Sequence, residues 1–265
     1  MDPRGKTALL TGATGGLGRA IAEALAAAGA TLVLSSRKGE ELERLAAELP
    51  GNGHRTVVSD LAEDGEALRL LEAAGDLHLL VANAGLPASG LLDRFSQDEI
   101  GRALRVNLEA PVRMARELAP RMSARGSGHM VFVSSLSGKA ATARASLYCA
   151  TKFGLRGFAL GLRADLRGTG VGVSVVMPGT IRDAGMFHDS QATVPAIMGT
   201  STPEAVADGV VSAIVRDRAE VSVAPLRQRA LSAVAANAPE LSARVAGRTA
   251  AKVADRIAAG QTDKR

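Results

Sequence analysis

The sequence predicts an α/β fold: a doubly wound, mainly parallel sheet of seven strands with helices on both faces. Two observations predict it. Short, continuous Val/Leu/Ile runs alternate with segments of helical period from the first residues to about position 224. A glycine-rich turn joins the first run to the first helical segment. Strands covered on both faces read as unbroken apolar runs, and a helix between consecutive strands makes a βαβ unit. Right-handed crossovers then stack helices on the two sides of one sheet.

The elements follow in order. The strands are expected at 6–11 (K-T-A-L-L-T), 31–36 (T-L-V-L-S-S), 55–59, 77–82, 129–134 (H-M-V-F-V-S), 172–177 and 220–224. Helices are expected between them at 17–28, 40–49, 64–73, 97–124, 147–167 and 203–216, where apolar residues return every three to four places. Two regions break the alternation. Residues 180–202 mix Gly, Pro and Thr with Met and Phe and read as a loop over a site. Residues 226–260 read as a helical extension, with Leu241, Val245, Val253 and Ile257 at multiples of four and arginines interleaved. The expected organisation is therefore a domain over 1–225, carrying its lid at 180–202, and a basic C-terminal extension over 226–265.

Composition bounds the function. The chain has 265 residues, 46% hydrophobic and 22% charged, enough to bury a sizeable core. With 2% aromatics and no tryptophan, that core has to be built from Ala, Val, Leu and Ile. The single cysteine, Cys149, excludes an intramolecular disulfide and a cysteine-based zinc site. The N-terminus is polar and no apolar run approaches ~18 residues, so neither a signal peptide nor a spanning segment is expected, and the setting reads as cytoplasmic. Residues 225–265 hold eight Lys/Arg against three acids, which accounts for the whole net charge of +5 and leaves residues 1–224 neutral. The basic balance thus gives no argument for a nucleic-acid-binding core. For the extension, a solvated helix packed on the domain is the expectation, with a subunit contact or attachment to an anionic membrane surface as alternatives.

The first turn reads T-G-A-T-G-G-L-G, Thr11 to Gly18, between strand one and helix one. Backbone N–H groups and the positive end of a helix meet there, which suits a pyrophosphate. Gly12 permits the tight turn, Gly16 lets phosphates approach, and Gly18 lets the helix pack on the sheet. In a Rossmann-like fold the residues about 20 places on choose between NAD and NADP: an acid holds a ribose 2′-OH, an arginine a 2′-phosphate. Here Ser36 and Arg37 follow strand two and no acid occurs from 30 to 37. A guanidinium can grip the phosphate in a two-pronged contact, so NADP is favoured and NAD kept as the alternative.

The chain has one tyrosine, Tyr148, and Lys152 follows four places later. On a helix these positions share a face, so phenol and ammonium would sit side by side. A neighbouring cation favours the phenolate, and a phenol brought toward working pH can exchange a proton with a hydroxyl or carbonyl.

With T-G-x-x-x-G-x-G at 11–18 and Y-x-x-x-K at 148–152, the chain resembles the short-chain dehydrogenase/reductase family in its compact single-domain branch, over roughly residues 5–224. Asp60-Leu61 after strand three resembles the family's adenine contact, and Asn83-Ala84-Gly85 its N-A-G turn. Asn107 in R-V-N-L falls where the family keeps an asparagine that holds a water in a proton relay. Ser135, thirteen residues before Tyr148, has the spacing of the catalytic serine, and Pro178-Gly179 resembles the turn near the nicotinamide. The resemblance implies a catalytic set of Asn107, Ser135, Tyr148 and Lys152. It implies a cofactor set that also takes in Thr14, Leu17, Ile181, Tyr148 and Lys152. Tyr148 would donate or remove the proton, Lys152 would tune it and bond the ribose, Ser135 would hold the substrate oxygen, and Asn107 would reach Lys152 through water.

The sequence departs from the pattern at Asp183, where the family has a threonine that contacts the nicotinamide carboxamide; Thr180 is the replacement at hand. Gly15 stands where NADP-preferring members often carry a basic residue. Residues 86–92, 136–147 and the lid, with Met186, Phe187, Ile197 and Met198, are expected around an apolar carbonyl or alcohol substrate. Cys149 reads as a buried apolar residue and His188 as a surface one. By resemblance a homo-oligomer, dimer or tetramer, forms through the two long helices. The leading expectation is an NADP(H)-dependent oxidoreductase interconverting a secondary alcohol and a ketone or aldehyde. The alternatives are a non-catalytic dinucleotide-binding regulator and a membrane-associated lipid or acyl-thioester reductase.

Overall fold

Seven strands form one sheet: β1 (Thr7–Thr11), β2 (Thr31–Ser36), β3 (Arg55–Val58), β4 (Leu79–Ala82), β5 (Gly128–Val133), β6 (Val171–Pro178) and β7 (Glu220–Val223). This computed structural model describes residues 1–185, 198–238 and 240. The strand order is β3-β2-β1-β4-β5-β6-β7, and all six adjacent pairs are parallel. The chain winds outward from β1 to β3, then returns to β4 on the other side of β1. That reversal opens a crevice at the carboxyl ends of β1 and β4, where doubly wound sheets bind ligands.

Period-two alternation sorts the strand residues between two cores. Ala8, Leu10, Leu32 and Leu34 point to one face, where α1 (Gly16–Ala27), α2 (Gly39–Glu48) and α7 (Pro203–Val215) bring Ile21, Leu25, Leu42, Leu45 and Val210. Leu9, Val33, Met130 and Phe132 point to the other, covered by α3 (Glu66–Ala74), α5 (Ala110–Arg125) and α6 (Ser146–Asp165) through Leu70, Met114, Leu118 and Leu155. Both faces are dry, which is why the strands read as continuous apolar runs.

The structure refines one long element. The helix expected over 97–124 runs through without a gap, but it carries a π-helical turn, Arg105–Glu109, between α4 (Gln97–Leu104) and α5. A capping box starts α4, with Ser96 Oγ accepting from Glu99 N–H at 3.1 Å and Glu99 Oε2 accepting from Ser96 N–H at 2.7 Å. The π turn inserts one extra residue per turn and presents Asn107 to the interior, fully buried. Period alone cannot reveal such an insertion, because the apolar spacing on either side remains helical.

The neck of the expected lid is tied down. Ile181 and Ser201 form a parallel bridge, with Arg182 N–H donating to Ser201 O at 3.0 Å and Ser201 N–H to Thr180 O at 2.9 Å. Met186, Phe187, His188 and Ile197 lie outside the described residues, as do Leu241, Val245, Val253 and Ile257 of the extension. The extension begins as α8 (Leu226–Asn237), which buries Gln228 and Ser232 and exposes Leu226, Leu231 and Val234. Among the described residues no helix is long and apolar enough to cross a membrane.

Candidate active site

A cleft of about 1070 Å³ runs along the carboxyl ends of the strands, from the glycine turn after β1 to the β6–β7 end. At its first end Gly12 has φ of 67° and packs so closely that a Cβ would lie 2.8 Å from Ala84 Cα. A Cβ on Gly18 would strike the Gly12 carbonyl oxygen and Ala13, so this glycine lets the helix start pack on its own turn, not on the sheet as expected. Gly16 and Leu17 open α1; Gly15 at the N-cap contributes no side-chain bond and the first turn has no acid. The leading N–H groups of α1 therefore face the cleft uncompensated by any side chain, beside Thr14. Thr11 Oγ1 accepts from Asn83 N–H at 3.1 Å and Ala84 N–H at 3.0 Å, and Asn83 Nδ2 donates to the Thr11 and Gly12 carbonyls at 3.1 and 3.2 Å. These four bonds bolt the Asn83-Ala84-Gly85 turn to the glycine turn. Sequence reasoning missed Thr11 as the bolt.

At the end of β2, Ser36 Oγ accepts from Lys38 N–H at 3.1 Å, and Arg37, the next residue, has a side chain 56% exposed with Nη1 3.9 Å from Asp60 Oδ2. That separation leaves the guanidinium held only loosely. Asp60 is fixed by accepting from Ala62 N–H at 3.0 Å, and Leu61 is buried beneath it. Lys38, which sequence reasoning passed over, lines the same stretch with its ammonium paired to Glu41 at 2.8 Å, so two cations flank this end of the cleft and Arg37 is the less tightly held. Adjacency to Arg37 was the available signal.

At the other end, Ser135 follows β5 and caps a short turn, Leu136–Gly138, its Oγ accepting from Ser137 N–H at 3.1 Å. Its hydroxyl also pulls the Tyr148 phenol toward ionisation, so the turn-capping and site roles coexist in one side chain. Lys152 lies one helical turn along, with Nζ 5.6 Å from the Tyr148 ring centre. Nζ donates to Val133 O at 3.1 Å and the residue is buried. Burial pushes the Tyr148 phenol up to about 12, against the pull of the Ser135 bond and with a smaller push from Cys149. Burial likewise pushes the Lys152 amine down to about 8. Desolvation is the largest influence on the phenol, and no pull from the Lys152 ammonium enters, although the Tyr148 side chain is only partly buried where it lines the cleft. The phenol keeps its proton at neutral pH, the form that can donate it.

Of the residues expected to be catalytic or to bind cofactor, Asn107 alone does not line the cleft, and neither Met198 of the expected lid nor residues 90–92 line it. Its Oδ1 accepts from Leu86 N–H at 2.7 Å, and its Nδ2 donates to Leu86 O at 3.0 Å and to Thr151 Oγ1 at 3.4 Å. Thr151 in turn donates to Tyr148 O at 2.8 Å. The amide is thus engaged by Leu86 and by α6 one residue before Lys152.

Pro178, Gly179, Thr180 and Ile181 line the cleft after β6, together with Gln228 of α8, which sequence reasoning did not find. Asp183 is exposed, with φ of 65°, and pairs with Arg182 Nε at 3.1 Å. Leu86, Pro87, Ser89, Leu136, Thr142 and Ala143 complete the wall near Tyr148. Cys149 is buried, and burial pushes its thiol up, which disqualifies it as a nucleophile. Among the described residues no group of His, Cys, Asp or Glu could hold a metal ion.

A family model described as short chain dehydrogenase matches residues 6–195. The ketoacyl reductase HetN of Nostoc sp. is 38% identical over 225 residues, covering 83% of this chain and 78% of that protein. A metagenomic short-chain oxidoreductase solved in complex with NADP is 32% identical with a TM-score of 0.70, over 85% of this chain and 99% of that one. A short-chain dehydrogenase from Sphingobium yanoikuyae solved with NADPH is 27% identical with a TM-score of 0.75, over 89% and 95% respectively.

Proposed function

The chain belongs to the short-chain dehydrogenase family of oxidoreductases, and on that premise we propose that it reduces a ketone or aldehyde with NADPH, and oxidises the alcohol in reverse. The observation that carries this reading is the convergence of Ser135, Tyr148 and Lys152 on one wall of a cleft whose far end holds the glycine turn and two cations. The residues fit a dinucleotide. The uncapped start of α1 and the bolted Thr11–Asn83 turn suit a pyrophosphate, Asp60 and Leu61 suit the adenosine, and Arg37 with Lys38 suits a 2′-phosphate. A reduced nicotinamide bound at the Pro178–Ile181 end would supply the hydride.

The protein's own part is position and a proton. Ser135 fixes the carbonyl oxygen by a hydrogen bond and keeps the phenol oriented. Tyr148 gives its proton to that oxygen as negative charge develops, and takes it back in oxidation. Lys152, whose amine burial has brought down to about 8, stands one helical turn from Tyr148 with Nζ 5.6 Å from its ring centre, where it would bond a ribose hydroxyl. The leading N–H groups of α1 hold the phosphates and, with them, the reach of the cofactor to Tyr148.

The apolar stretch of wall at Leu86, Pro87 and Leu136 accommodates an aliphatic substrate. With a relative named ketoacyl reductase, β-ketoacyl thioesters are the first substrates to try. The test is cofactor consumption with NADPH and, in parallel, NADH against ketones, aldehydes and β-ketoacyl thioesters. Turnover with preference for NADPH is expected. Tight NADPH binding with silence over the whole panel would replace the enzyme by a dinucleotide-binding regulator.

A further inference from the structure

Gln228 belongs to α8, beyond the stretch that the family model matches, yet its side chain reaches the floor of the cleft. It is buried, and its amide is fully engaged. Oε1 accepts from Thr180 N–H at 3.0 Å; Nε2 donates to Gly199 O at 2.8 Å and to Met198 O at 3.3 Å. One amide therefore ties three stretches of chain: the turn after β6, the segment leading to α7, and α8. Gly179 permits the approach, because a Cβ there would collide with Gln228 Oε1. The opposite side of the turn is held by β7, Gly179 N–H donating to Val223 O at 2.9 Å.

The neighbouring buried polar residue of α8 behaves differently. Ser232 donates to Arg229 O at 2.9 Å within its own helix, and no other α8 residue lines the cleft. A buried amide bonded to three backbone groups specifies geometry in a way that an apolar residue of the same volume does not. Resting on the dinucleotide reading above, we propose that Gln228 is a positioning residue of the reaction. It sets the Gly179–Thr180 turn at the nicotinamide end of the cleft and so makes cofactor affinity depend on α8.

The experiment uses the full chain with Gln228→Leu and Gln228→Glu. NADPH affinity is read by fluorescence, Thr180 amide exchange by hydrogen–deuterium exchange, and folding by Tm. Leucine keeps the volume and loses every bond; glutamate keeps the acceptor for Thr180 N–H. The expected result is an NADPH Kd raised about tenfold in Gln228→Leu, with faster Thr180 exchange and a lowered Tm because three backbone groups lose their partner, and a rise of no more than about threefold in Gln228→Glu with exchange preserved. Wild-type NADPH affinity in Gln228→Leu overturns the inference alone. Equal losses of affinity in Gln228→Leu and Gln228→Glu overturn it too, by marking Gln228 as merely structural. Failure of the wild-type chain to bind any dinucleotide would sink the functional reading, and this inference with it.

Discussion

Tyr148→Phe removes one hydroxyl and leaves the ring packed against the small cluster of Ala88, Phe95 and Ala103, so it isolates the proton step from binding. Loss of a positioned general acid costs about 10²- to 10⁴-fold in rate, and kcat for carbonyl reduction should fall by that much while NADPH Kd stays within about twofold. Retained turnover in single-turnover assays would remove Tyr148 from the chemistry. Arg37 is a second single-residue question. Its side chain is 56% exposed and its guanidinium stands 3.9 Å from Asp60, so it is available for a 2′-phosphate at small cost to the fold. Arg37→Ser should raise KM for NADPH about tenfold or more, the value of a charge-assisted hydrogen bond, and leave KM for NADH nearly unchanged. Steady-state kinetics with both cofactors decides it. The residue types and spacings of both positions were legible in the sequence. The balance of effects on the phenol was not, because burial enters only when α6 packs against β5 and the turn after it.

The element that carries most of the unexpected geometry is the π turn between α4 and α5. It directs the Asn107 amide to both backbone groups of Leu86, pinning the segment after β4, and on to Thr151 of α6. Asn107→Ala would leave the Leu86 N–H and C=O unpaired in a buried setting. A loss of about 2–3 kcal/mol in unfolding free energy is expected, read from the denaturant midpoint at unchanged m-value. A variant as stable as the wild type would mean that the amide is dispensable to the fold. Strands and most helices were legible from their periods, because both sheet faces are buried and both cores are aliphatic. The π turn was not, since one added residue leaves the flanking periods intact.

On the scale of the whole molecule, the sheet has a second polar end. His129, near the amino end of β5 and remote from the cleft, is buried with Nε2 2.8 Å from Ser174 Oγ. Burial pushes its imidazole down to about 4, against a smaller pull from Asp217, so the folded protein holds it neutral. Between pH 6.5 and 4 the unfolded chain binds the proton and the folded protein does not, so acidification across that window favours unfolding. Stability is retained above 6.5 and lost as pH falls toward 4. The displacement of about 2.5 pH units corresponds to at most about 3 kcal/mol. His129→Gln should flatten the fall in Tm between pH 6.5 and 4 relative to wild type; parallel curves would show that other groups govern the acid limb.

The letters of this chain determined the order of strands and helices, the glycine turn and the Ser135–Tyr148–Lys152 spacing. Each is a local matter of period, backbone freedom or separation along one or two adjoining elements. Tertiary structure alone decided that Thr11 bolts two turns together, that desolvation rules the phenol, and that Gln228 comes back across many residues to seat the turn after β6. Those outcomes depend on which surfaces meet and how much water leaves, and neither quantity is written in the spacing of residues along a strand or a helix.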